Sequence, residues 1–193
     1  MVDDASLTER TALKEWAVLV DAMARGDIIA MIRKGGIREQ RAGFSVRHER
    51  FLLYPTFFHE KANEVASRFL SHLDAVHARR PDEGTIRIEY VADVLGVWEV
   101  SSLESLRAID GAHGLAWNAV ESRFHYKNRP GVQVVAVRVS RLPEVVIVPE
   151  TRRYLGCVSW VELDDGVDVS NASPVLDDAS LLMRLAALRN ALA

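Results

Sequence analysis

Behind Ser6 and Glu9, which stand in capping-box spacing, Leu13, Trp16, Ala17, Val20 and Met23 recur at three- and four-residue intervals. That pattern predicts an amphipathic helix that stops at Gly26. The short apolar run 28–32, IIAMI, predicts a buried strand leading into Arg33. Gly43 predicts a turn between two strands, with Phe44, Val46 and His48 on one face, and FLLYP predicts a strand ended by Pro55. The period then changes. Phe58, Ala62, Val65, Phe69 and Leu73 describe a helix over 56–73, closed by the polar breaker HARRPDEG at 77–84. Residues 85–100 alternate as one long strand, or two bent at Gly96. Ser101 and Glu104 open a short helix to about Asp110, and a second helix follows from His113 to Phe124. The β-branched run 132–139 predicts a central strand, 145–148 a shorter one between Pro143 and Pro149, and 157–163 another. DDGVDVSNASP has linker composition, after which Leu181, Leu182, Leu185, Leu188 and Leu192 give a terminal helix with an apolar stripe.

Strands and helices mix without a regular βαβ rhythm, so the fold class is α+β. The expected architecture is a mainly antiparallel sheet, or a partly closed barrel flanked by helices, with a C-terminal helix. Its order of elements resembles the PUA/ASCH-like group. One domain is expected over 1–163, a linker over 164–173 and a helical appendage over 174–193.

Composition narrows the partners. The chain has 193 residues, 49% of them hydrophobic, and a formal net charge of -3, so it can bury a core but is not a globally basic polyanion binder. Any such affinity must come from local charge segregation. Lysine occurs only at 14, 34, 61 and 127, leaving arginine as the dominant cation, although compositional bias alone would also produce this. One cysteine, Cys157, excludes an intramolecular disulfide and a multi-cysteine zinc site; with no neighbouring base in sequence it reads as a structural thiol. The acidic N-terminus lacks a signal pattern, and no run approaches the roughly 20 apolar residues of a membrane span. A cytoplasmic, bacterial, soluble chain without a membrane partner is therefore the expectation.

The segment 33–60 concentrates the candidate chemistry. In RKGGIR a strand end, Gly35 and Gly36 and the cations Arg33, Lys34 and Arg38 could cradle a phosphate, without the spacing of a Walker motif. Arg41, Arg47 and Arg50 extend the run against Glu39 and Glu49. A second run holds Arg123, His125, Lys127 and Arg129, with Phe124 and Tyr126 as stacking platforms. Should both runs share a face, a nucleic-acid groove or a site for a phosphorylated ligand results. A solvated charged loop beside core aromatics would give the same pattern. His59 and Glu60, with His48, form the weaker catalytic candidates; position 63 is Asn, so no HExxH zinc motif exists, and no metal or cofactor is expected. Trp16, Trp98 and Trp117 read as core.

LKEWAV at 13–18, RKGGI at 33–37, FLLYPTFFHE at 51–60, WNAVESRFHYK at 117–127, VAVRVSRL at 135–142 and YLGCVSWVEL at 154–163 together resemble the DUF1802 family over about residues 10–163. The resemblance implies no defined activity. It implies at most a loose link to DNA modification or defence, since family members are similar to proteins sometimes found joined to, or near, restriction-endonuclease-like domains. Glu60 departs from the amide residue associated with the family's PT-x-x-H segment. A restriction-type core needs a carboxylate two residues before a lysine, and those positions here are Ala12, Ile32, His59 and His125. A recognition partner is thus expected rather than the nuclease. Alternatives are a small-substrate enzyme using His59 with Glu60 or His48, and a module that forms homo-oligomers through the terminal helix.

Overall fold

The computed structural model describes residues 7–34, 48–156 and 158–193. Gly35, Gly36, Arg38, the turn at Gly43 and Cys157 lie outside the described residues. Strands β1 (Thr8–Trp16), β2 (Ala30–Arg33), β3 (Arg50–Thr56), β4 (Thr85–Val100), β5 (Val132–Pro149), β6 (Trp160–Asp168) and β7 (Ser173–Pro174) form one sheet. Its order is β2-β5-β4-β3-β1-β6, with β7 added to β5. β1 and β3 run parallel and every other pair is antiparallel. The sheet is mixed and does not close. Helices α1 (Ala17–Ala24), α2 (Leu73–Ala78), α3 (Leu103–Ala108), α4 (Trp117–Phe124) and α5 (Asp178–Leu192) complete an α+β fold. None of the described helices is long and apolar enough to cross a membrane.

Both faces of the sheet are buried. Leu13, Phe51 and Leu53 belong to a large core under α1, α4 and α5, while their neighbours Ala12, Leu52 and Tyr54 join a second core with Leu142 of β5 and Leu163 of β6. β5 and β6 stand four places apart in the strand order, and residues of β4, β3 and β1 carry the second core between them. Register shifts in β1 between Glu9 and Thr11, and in β4 between Ile88 and Tyr90 and between Val94 and Gly96, bend the ladders locally. A side chain at Gly96 would collide with the Trp98 ring.

Two helical expectations fail for a physical reason. The chain is extended from Thr8 to Trp16 and turns helical only at Ala17. A strand buried on both faces loses its two-residue alternation, and Leu13, Trp16 and Ala17 then mimic a helical stripe. The 56–73 helix is likewise replaced, by short 3-10 turns at Ala62–Glu64 and Ser67–His72 before α2. Its backbone is held extended between them, where Ala66 N–H donates to the Gly114 carbonyl and Ala116 N–H to that of Glu64. Phe58, expected in the stripe, is 65% exposed.

Elsewhere the differences are of extent. The strands expected at 132–139 and 145–148 are one, with residues 142–145 bulging from the ladder around Pro143. The linker composition of 164–173 conceals the end of β6, and Val167 and Val169 are buried in the second core. The helix expected from His113 begins at Trp117, and Ser102, one residue after Ser101, caps α3. Helix α5 is capped by Asp177, which accepts from Ser180 N–H at 2.8 Å. Its Leu181, Leu185 and Leu188 pack into the large core, so most of the stripe offered for oligomerisation is occupied within the chain, while Leu182 faces outward.

Candidate functional site

The parallel pairing of β1 and β3 brings the ends of both strands to one end of the sheet, Lys14 opposite Tyr54 and Trp16 opposite Thr56. Pairing of Thr85 with Pro149 delivers the start of β4 and Glu150 to the same place. With the turn 80–84 and the loop 154–159 they enclose a cleft of about 600 Å³. Its floor and its rim differ in chemistry.

At the floor the buried Tyr54 hydroxyl donates to Glu150 Oε1 at 2.7 Å. Burial, then the bond to Glu150 and its charge, push the Tyr54 pKa upward, so the phenol stays a donor. Lys14 spans the cleft wall: its ammonium donates to the Tyr154 and Gly156 carbonyls and lies 5.2 Å from the Tyr54 ring. On the rim stand Phe57, Phe58 and His59. His59 holds a left-handed backbone with φ of 60°, unusual for a residue other than glycine, and its ring lies 3.9 Å from that of Phe58. The Arg80 guanidinium covers the Phe57 ring at 5.2 Å.

A second recess, of about 280 Å³, opens beside the cleft and shares Arg33 and Ser159 with it. Arg33, Lys34, Arg123 and Tyr126, all expected as ligand-binding residues, line it. The cations are largely engaged by the protein. Arg33 Nη1 donates to Glu15 Oε2 at 3.1 Å and to the Lys14 carbonyl at 3.2 Å, and Glu15 Oε1 accepts from Trp16 N–H at 2.9 Å. Arg123 Nη1 donates to the Ile32 carbonyl at 2.7 Å, with its guanidinium 5.2 Å from the Trp16 ring. Lys34 gathers the carbonyls of Phe124, Arg129 and Gly131, tying the end of β2 to the turn after α4.

Burial lowers the pKa of Lys34, with Glu99 opposing and Arg129 reinforcing the shift. Arg123 is lowered by burial also, against the attraction of Glu15 and with the repulsion of Arg33. Lys127 stands apart from this recess, on the exposed turn, in left-handed backbone with φ of 55° and 5.4 Å from the Tyr126 ring.

The catalytic candidates separate. His59 lines the cleft, whereas His48 packs its ring 5.2 Å from that of Trp160. Glu60 turns inward instead. Its Oε1 accepts from Val18 N–H at 2.9 Å, satisfying the first turn of α1, and its Oε2 meets His77 Nε2 at 2.5 Å. An amide at position 60 would keep the bond from Val18. Among the described residues no group of three or more His, Cys, Asp or Glu is placed to hold a metal. Sequence reasoning did not find Tyr54, Glu150 or Arg80 as cleft residues. Their one shared signal is position, each lying within two residues of a strand or helix end.

The family described as Domain of unknown function (DUF1802) matches residues 12–187 of this chain. The chain belongs to that family. A search of curated proteins finds no match to this DUF1802 chain. Among solved structures it is similar to a crystal structure of a mutant ZmASCH protein from Zymomonas mobilis, at 10% identity and a TM-score of 0.43, covering 94% of this chain and 99% of that one.

Proposed function

We propose that this DUF1802 domain binds single-stranded nucleic acid along the two joined recesses, as a cytoplasmic recognition module. The observation that carries the reading is their continuity: an aromatic cleft and a cation-lined recess meet at Arg33 and Ser159. Phe58 on one rim and Tyr126 on the other are exposed rings, and stacking on such rings requires bases free of a duplex. Arg80 lines the cleft, and Lys127 lies beside the Tyr126 ring just outside the recess, so both are available to a phosphate backbone following the rings. The alternative of an enzyme on a small phosphorylated substrate keeps His59 in the cleft. It lacks support from Glu60, which is committed to α1 and His77.

Titration against short single- and double-stranded oligonucleotides over a range of salt tests the reading. Log affinity for single strands should fall with log salt at a slope of about −0.7 per phosphate contacted. Duplex of the same sequence should bind more weakly. Absence of single-strand binding even at low salt overturns the proposal and directs the search to small phosphorylated metabolites.

A further inference from the structure

We propose that Glu150, positioned by Tyr54 at the cleft floor, reads the amino-bearing edge of a base, taking guanine best and uracil or thymine worst. This inference rests on the nucleic-acid reading above and adds a base preference to it. Three features make Glu150 suited to the task. Its backbone is fixed, since it follows the end of β5 directly and its N–H donates to the Gly84 carbonyl at 2.7 Å. Its side chain is oriented, because Oε1 accepts from the buried Tyr54 hydroxyl at 2.7 Å. Its acceptor capacity is not exhausted. Tyr54 takes one lone pair of Oε1, and Oε2 has no hydrogen bond from any described residue.

An ionised carboxylate accepts and does not donate. The Watson–Crick edge of guanine offers two adjacent donors, N1–H and the N2 amino group, which match the two oxygens of one carboxylate. Cytosine and adenine offer one amino group each. Uracil and thymine flank a single N3–H with two carbonyl oxygens, which a carboxylate repels. Two other carboxylates line the cleft, Asp82 and Glu83, but both are exposed on the turn, whereas Glu150 is half-buried at the floor.

The test uses an oligo-dT strand carrying one central dG, dC, dA or deoxyinosine, titrated against the full chain at fixed low salt. Deoxyinosine is deoxyguanosine without the 2-amino group. The wild type should bind the dG strand about tenfold tighter than plain oligo-dT, with deoxyinosine between them. Glu150→Gln provides the sharper outcome. Its amide oxygen still accepts from Tyr54, so the fold is retained, but its NH2 now faces the ligand as a donor. The preference should then shift toward dT while the salt slope stays unchanged. Equal wild-type affinity for all strands, or a guanine preference that survives Glu150→Gln in a folded protein, overturns the inference and leaves the groove reading standing. No binding to any strand removes both.

Discussion

The cation-lined recess and the aromatic cleft adjoin, yet they use their side chains in opposite ways. In the recess Arg33, with a side chain only 12% exposed, and Lys34 and Arg123 direct donors at carbonyls and a buried carboxylate of the protein itself. In the cleft Phe58 and His59 project outward from a strained turn. The contrast teaches that a basic cluster in a sequence can be scaffold. Carbonyls at the ends of β1, β2 and α4 need donors, and long cationic side chains reach them while still setting the electrostatic character of the recess.

The largest effect that separates the two regions should come from Glu15. Replacing it with Ala leaves Arg33 and Arg123 half-buried near each other without the carboxylate that pairs with Arg33 and offsets the charge at Arg123. Removing one partner of a buried ion pair costs about 3–5 kcal/mol. Chemical denaturation of Glu15→Ala should show a loss of that order. A loss below about 1 kcal/mol would mean that the recess is well hydrated and its cations freer than their bonding indicates.

Acidification probes the same buried side of the molecule. His113 is buried just before α4; its Nδ1 accepts from Leu115 N–H at 3.2 Å and its Nε2 has no hydrogen-bond partner among the described residues. Burial depresses its pKa to about 4, with Asp110 opposing and Arg68 and Arg123 reinforcing the shift. The unfolded imidazole, with an ordinary pKa of 6.5, takes up a proton that the folded one refuses. Stability attributable to this group is therefore full above about pH 6.5 and falls as pH drops toward about 4, by up to roughly 3 kcal/mol. Denaturation midpoints measured across that window should decline in the wild type. In His113→Asn, whose Oδ1 can replace Nδ1 as acceptor, the decline should be shallower; an equal decline would locate the acid sensitivity elsewhere.

What the sequence disclosed follows the range of the interactions involved. The long strands β4 and β5 were legible because β-branched residues dominate them locally. β1 was not, because burial on both faces erased its alternation, and the 56–73 helix was not, because residues 114–116 hold its middle extended. For the site, sequence indicated that Arg33, Lys34, Arg123 and Tyr126 could meet, and they line one recess. It could not indicate that Lys34 would be engaged by the Gly131 carbonyl 97 positions away, or that Tyr54 would find Glu150 96 positions away. Those pairings depend on strand order, which no local pattern encodes.

The smallest effect on stability should accompany one of the clearest effects on binding, at Phe58. Its ring is largely exposed and meets chiefly the ring of His59, so Phe58→Ala should alter the unfolding free energy by no more than about 0.5 kcal/mol. If the cleft stacks a base there, the same variant should weaken single-strand binding by about 1–3 kcal/mol. The salt slope should not change, because no phosphate contact is lost. Glu15→Ala should behave oppositely, lowering stability first and affinity only as the recess loosens. Unaltered single-strand affinity in Phe58→Ala would detach the aromatic rim from ligand binding and return the recess, with its inward-turned cations, to the centre of the site.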